Sequence, residues 1–182
     1  MLNLPVFLTI LRITVIPFIV ILLLFEEKSY AFFAALLFSL GAITDMLDGY
    51  FARQQDSVTV LGKILDPLAD KLLIVAPLIM LIPLGRVPAW MVVIILSREI
   101  AVTGLRGIKA LDGAVMASSN LGKYKTIFQD VSLIGLLLHY EYINIDFHIV
   151  GMFLLWIALA ITIWSGVDYF YRFFKNAEDL NR

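Results

Sequence analysis

Apolar residues run along this chain in six long stretches, separated by short polar breaks. They cover approximately Leu4–Phe25, Tyr30–Phe51, Lys63–Leu84, Ala89–Ile108, Tyr124–Tyr140 and Ile149–Phe173. Each is close to the roughly 20 residues that cross a hydrocarbon core as an α-helix. The pattern therefore predicts an all-α integral membrane protein of six transmembrane helices, with one domain spanning residues 1–182. No stretch reads as a soluble domain, a repeat array or a low-complexity tail. The first stretch lacks the basic n-region and small-residue cleavage site of a signal peptide. Pro5 and Pro17 within it leave two readings open, a continuous span or a short interfacial turn joined to one.

Composition agrees with the pattern. Of 182 residues, 61% are hydrophobic and 16% charged, and the mean hydropathy is +0.92; soluble domains are nearer half apolar and a quarter charged. The net charge of −1 carries no information about nucleic acid. Cysteine is absent, which excludes disulfides, thiolate metal sites and a cysteine nucleophile. The two histidines, His139 and His148, flank one short loop and read as interfacial residues.

The basic residues set the orientation. With the N-terminus inside, all of the 14 Lys and Arg except Lys28 and Arg86 fall on the cytoplasmic side, and both termini are cytoplasmic. Topology alone accounts for Lys175 and Arg182. It accounts poorly for Arg98 and Arg106, which lie within or at the end of an apolar stretch.

Four aspartates lie in the second and third stretches. On a helix Asp45 and Asp48 are three apart and share a stripe with Gly49 and Ala52; Gly62, Asp66 and Asp70 repeat every four residues on one face. Each helix thus offers two carboxylates beside residues with almost no side chain, where a flat ligand can lie against the backbone. An ionised aspartate near the bilayer centre costs roughly 2.5–3.5 kcal/mol, and four together repel one another unless cations sit between them. Oxygen-only ligands suit a hard ion, Mg²⁺ or Mn²⁺. Two such ions sharing four carboxylates fit a diphosphate. The plainer reading is pairing with Arg53, Lys63 and Lys71, or capping: Asp66-Pro67 has the form of an N-cap followed by proline at the first helical position. Capping explains one aspartate, not two same-face pairs interleaved with small residues.

The string D-x2-D-G-x2-A-R-x8-G-x3-D-x3-D, running from Asp45 to Asp70, resembles the signature of the CDP-alcohol phosphatidyltransferases. The resemblance extends over nearly the whole chain. Within that family, Leu65-Asp66-Pro67-Leu68-Ala69-Asp70-Lys71, Ser97-Arg98-Glu99-Ile100-Ala101-Val102-Thr103-Gly104-Leu105-Arg106 and Leu121-Gly122-Lys123-Tyr124-Lys125-Thr126 are most similar to the bacterial branch that makes phosphatidylglycerol phosphate. Asn3-Leu4-Pro5, Leu8-Thr9 and Arg12 also look like that branch; Val6 departs from the asparagine common there.

The resemblance implies a homodimer in the bacterial cytoplasmic membrane, with its active site in a polar cavity at the cytoplasmic interface. The implied reaction transfers the phosphatidyl group from CDP-diacylglycerol to sn-glycerol 3-phosphate, releasing CMP in phospholipid biosynthesis. Asp45, Asp48, Asp66 and Asp70 are then the metal ligands, and Asp70 is the general base that takes the proton from the attacking hydroxyl. Asp48, Gly49, Ala52, Arg53 and Gly62 border the nucleotide. The acceptor's phosphate needs its own cationic seat, expected at Arg106, Lys123 and Lys125, with Arg98 and Lys109 in reserve; two residues apart on a helix, Lys123 and Lys125 do not both point inward. Arg98 and Glu99 have the alternative of an internal structural pair. Other readings are a family member acting on inositol phosphate, serine or phosphatidylglycerol, an ion-coupled transporter or channel, and an aspartate-rich prenyltransferase.

Overall fold

The computed structural model describes residues 4–51, 60–111 and 120–180; the side chains of 4–6, 45–51, 60–64, 109–111, 120–121, 123, 174 and 176–180 are outside that description. Six helices account for almost all of the described residues: α1 (Leu4–Leu23), α2 (Lys28–Phe51), α3 (Val60–Leu81), α4 (Ala89–Leu111), α5 (Asn120–Leu138) and α6 (Phe147–Leu180). A two-residue hairpin, β1 (Glu141–Tyr142) and β2 (Ile145–Asp146), joins α5 to α6. The helices coincide with the six apolar stretches, shifted by a few residues at their ends.

One proline selects between the two open readings and another falls differently from expectation. α1 runs unbroken through Pro17, so the turn-plus-span alternative does not apply. α3 begins at Val60 and continues through Pro67, so Asp66 is inside a helix and is not an N-cap. A mid-helix proline forfeits one backbone hydrogen bond, a loss that neighbouring groups offset more readily in membrane helices than in soluble ones.

The helices close around a single apolar core that includes Ile19, Phe38, Leu78, Met91, Ile95, Leu133, Leu137 and Leu155. α5 and α6 make the closest crossing. A Cβ added at Gly135 would sit 2.8 Å from the Gly151 Cα, and one added at Gly151 would sit 2.6 Å from the Leu136 nitrogen. Small residues at that point let the two backbones touch, which in an apolar solvent is a main source of helix association. The outside of the bundle is also apolar: Phe18, Phe33, Ile100, Phe153 and Trp164, from four helices, are each more than half exposed. Apolar patches of that extent mark a surface that meets lipid or protein rather than water. Among the described residues, α6 over Phe147–Phe173 is long and apolar enough to cross a membrane by its own composition, and Phe7–Leu23 and Lys28–Thr44 are shorter apolar helices.

The α1–α2, α3–α4 and α5–α6 connections meet at one end of the bundle. Lys28 Nζ donates to the Glu141 carbonyl at 2.6 Å and lies over the Tyr142 ring, Tyr140 donates to the Glu26 carbonyl, and buried Arg86 donates to the Leu137 carbonyl. His139 Nδ1 lies 3.3 Å from His148 Nδ1. Burial, and then the nearby Arg86 and His148, hold the His139 ring below its ordinary pKa. This leaves the opposite end of the bundle for the charged residues of α3, α4 and α5.

Candidate active site

At that opposite end a cavity of about 440 Å³ opens between α3, α4 and α5, with Ala42 of α2 on its wall. Four cations line it, Lys71, Arg98, Arg106 and Lys125, and three carboxylates, Asp70, Glu99 and Asp130. Helical spacing explains the grouping. Asp70 and Lys71 lie nearly three turns into α3, Arg98, Glu99, Thr103 and Arg106 recur along α4, and Lys125 and Gln129 are one turn apart on α5.

α1 braces the carboxylates. Thr9 Oγ1 donates to Asp66 Oδ1, and Arg12 Nη1 donates to Asp70 Oδ1 at 2.5 Å. Thr9 and Arg12 are both buried within an otherwise apolar helix. Their spacing of about one turn matches that of Asp66 and Asp70, so two rungs link the helices. On the α4–α5 side, Glu99 Oε1 accepts from Arg98 Nη1 at 3.1 Å and from Lys125 Nζ. Arg98 Nη2 reaches across to Ser165 Oγ at 3.0 Å. Gly166 makes room for that reach, because a Cβ there would lie 3.1 Å from Arg98 Cγ. Lys71 Nζ donates to Thr103 Oγ1 at 2.6 Å, and the exposed Arg106 guanidinium lies 5.6 Å from the centre of the Tyr169 ring.

Of the residues expected from sequence, Asp70, Arg106 and Lys125 line one cavity, together with the reserve Arg98. Asp66 is one turn from Asp70 on α3 and is held by Thr9. Asp45, Asp48 and Gly49 lie in α2, and Gly62 in α3, but their side-chain surroundings are outside the described residues, as are those of Lys109 in α4 and Lys123 in α5. Ala52 and Arg53 fall wholly outside them. The backbone still gives a register. Residues 52–59 are too few to return along a helix pair, so α2 and α3 run antiparallel and meet where a Cβ on Gly41 would lie 3.2 Å from Leu73. Counting toward the charged end at ~1.5 Å per residue puts position 48 level with 66, and 45 near 70. Among the described residues no three His, Cys, Asp or Glu side chains cluster as a metal site.

Four participants are not assigned to the site by sequence. Arg12 and Thr9 entered only through the resemblance, although an arginine in the middle of an apolar stretch is itself a signal. Glu99 was read as a partner of Arg98 and proves to hold Lys125 as well. Gln129, buried on α5, carried no motif.

Comparison with known proteins gives the same assignment along most of the chain. A "CDP-diacylglycerol–glycerol-3-phosphate 3-phosphatidyltransferase" of Bacillus subtilis is 44% identical over 93% of this chain and 94% of its own length. Proteins of the same name from Rickettsia bellii and Haemophilus influenzae are 43% and 40% identical, over 92% of this chain and 93% and 91% of their own lengths. The family model for CDP-alcohol phosphatidyltransferase matches residues 2–164, a range that contains every cavity-lining residue and both α1 braces. With Asp66 and Asp70 beside four cavity-lining cations, and a family model matched over most of its length, this chain belongs to the CDP-alcohol phosphatidyltransferase family.

Proposed function

We propose that this protein transfers the phosphatidyl group of CDP-diacylglycerol to sn-glycerol 3-phosphate, giving phosphatidylglycerol phosphate and CMP. The observation that carries the reading is the shared cavity: a carboxylate fixed by a buried arginine faces a cluster of cations across a space large enough for a small phosphorylated alcohol. Relatives 40–44% identical over most of the chain bear the name of that activity.

In this reading Asp70 is the general base. Arg12 holds its carboxylate, so Asp70 acts by position more than by basicity, taking the proton of the primary hydroxyl as that oxygen attacks the β-phosphorus. Arg98, Arg106 and Lys125 seat the acceptor's phosphate; Lys123, two residues from Lys125 on α5, is the alternative to it. Glu99 keeps Arg98 and Lys125 from repelling each other and fixes their heads. Four cations facing three carboxylates favour a phosphorylated acceptor over serine. Gly49, Ala52 and Gly62 give the nucleotide a bare wall, with Asp48 and Arg53 at its edge. No covalent intermediate is needed.

The residues fit a divalent metal. The described half of the donor set, Asp66 and Asp70, is oxygen-only and on one face of α3, and the α2–α3 register brings positions 45 and 48 level with it. Asp45, Asp48, Asp66 and Asp70 would hold one or two ions, Mg²⁺ or Mn²⁺. A bound ion supplies neutralisation of charge on the transferring phosphoryl group and on departing CMP.

The same reading makes the chain one membrane domain over residues 1–182. All six helices cross the bilayer, both termini are cytoplasmic, and the cavity opens at the cytoplasmic interface of the bacterial inner membrane. The outward apolar side chains and the gathering of basic residues at one end support this. A homodimer is carried over from the family resemblance. The test is purified protein in vesicles of CDP-diacylglycerol. CMP release that depends on glycerol 3-phosphate supports the reading, whereas ion flux without any CMP release would favour a transporter.

A further inference from the structure

Gln129 lies on α5 one turn beyond Lys125, and both line the cavity that also contains Asp70. The residue is 1% exposed, yet neither its Oε1 nor its Nε2 has a hydrogen-bond partner. Buried polar atoms without partners bear the full loss of hydration, so native proteins rarely keep two on one side chain without a use. A primary amide offers a donor and an acceptor side by side. A phosphate or carboxylate accepts only and would set its charge against Oε1. An alcohol both donates and accepts, and answers both atoms of the amide. The position is suited to the same group. Side chains four apart on a helix stand about 5–6 Å apart at Cβ, comparable with the reach from the phosphorus of an extended three-carbon phosphoester to the hydroxyl oxygen on its middle carbon.

We infer that Gln129 determines acceptor specificity by hydrogen-bonding the non-reacting 2-hydroxyl of glycerol 3-phosphate, while the phosphate sits at the cations and the 1-hydroxyl meets Asp70. This rests on the function proposed above. A buried amide that reads a hydroxyl makes an acceptor lacking it leave both amide atoms unpaired, and the transition state is penalised accordingly. An amide that serves only to pack α5 discriminates nothing.

The experiment compares glycerol 3-phosphate with 3-hydroxypropyl phosphate, which keeps the primary hydroxyl and the phosphate and lacks only the 2-hydroxyl. In the full-length protein with CDP-diacylglycerol, kcat/KM is expected to be about 10–100-fold lower for the deoxy acceptor. In Gln129→Leu and in Gln129→Met, an unbranched replacement of similar length, the ratio is expected to fall toward one. The loss should be confined to glycerol 3-phosphate, and the deoxy acceptor, itself a reporter of folding, should change by no more than about threefold. A wild-type enzyme that uses both acceptors equally overturns the inference. So does a ratio unchanged in both variants, or an equal loss on both acceptors in both variants, and either result leaves the proposed function standing. Absence of CMP release from wild-type protein with glycerol 3-phosphate removes the proposed function, and this inference with it.

Discussion

The buried guanidinium of Arg12 donates to Oδ1 of Asp70 at 2.5 Å, tying the first helix to the third at the wall of the cavity. Thr9, about one turn earlier, ties the same two helices through Asp66. A base that works by position depends on this brace. Arg12→Ala is therefore expected to lower kcat by about 10²-fold, the size of effect that a misplacement near 1 Å produces. Arg12→Lys, which keeps the charge but not the forked geometry, should retain more activity than Arg12→Ala. CMP release under saturating substrates measures both, and a wild-type kcat in Arg12→Ala would remove the positioning role.

Asp70→Asn keeps the size of the side chain and removes its basicity. Phosphatidyl transfer should fall by at least about 10²–10⁴-fold while the protein elutes as folded. Excess chelator should stop the wild-type enzyme, and added Mg²⁺ or Mn²⁺ should restore it. Near wild-type turnover in Asp70→Asn contradicts the base assignment, and full activity in chelator contradicts the metal.

The cationic wall makes a separable prediction. Arg106 is exposed and leans on Tyr169, whereas Arg98 is tied to Glu99 and Ser165. Arg106→Ala should raise the KM for glycerol 3-phosphate by about 10–100-fold, the range expected for hydrogen bonds to a charged group, and change the KM for CDP-diacylglycerol much less. Arg98→Ala should add a loss of thermal stability, because it strips a partner from Glu99. Steady-state kinetics with each substrate varied in turn decides the first point; equal effects on the two KM values argue against a separate phosphate seat.

How far the sequence discloses this arrangement depends on which forces act within one helix and which act between helices. The six helices and the one-face spacing of Asp66 and Asp70 on α3 are legible because apolar length and helical period are local properties. Asp66 and Asp70 stand out because a carboxylate in an apolar stretch is expensive. The start of α3 is not legible: Asp66-Pro67 imitates a cap, but the helix runs through the proline. The partner of Arg12 is not legible either, since which turn of α1 meets which turn of α3 is fixed by packing. Gln129 differs again. A single glutamine on a span has no pattern, and only its burial without partners makes it visible.

The outer hairpin offers a test of stability away from the site. Ile143 and Asn144 both have positive φ, 53° and 60°, as the two-residue turn between β1 and β2 requires. Asparagine tolerates that conformation and a β-branched residue does not. Ile143 is 94% exposed, so little packing is lost on replacing it. Ile143→Asn should stabilise the protein by about 1 kcal/mol without altering turnover. A rise in Tm in detergent, with unchanged kcat, checks it; a fall in Tm would contradict the strain argument.

The pairing of CDP-diacylglycerol with glycerol 3-phosphate can be read out in one panel assay. Purified protein is supplied with radiolabelled CDP-diacylglycerol and, separately, with glycerol 3-phosphate, inositol phosphate, serine and phosphatidylglycerol, and CMP and the lipid product are measured. CMP release, and a new lipid with the mass of phosphatidylglycerol phosphate, are expected with glycerol 3-phosphate alone. Preferred turnover of any other alcohol, or no turnover of glycerol 3-phosphate, would contradict that pairing.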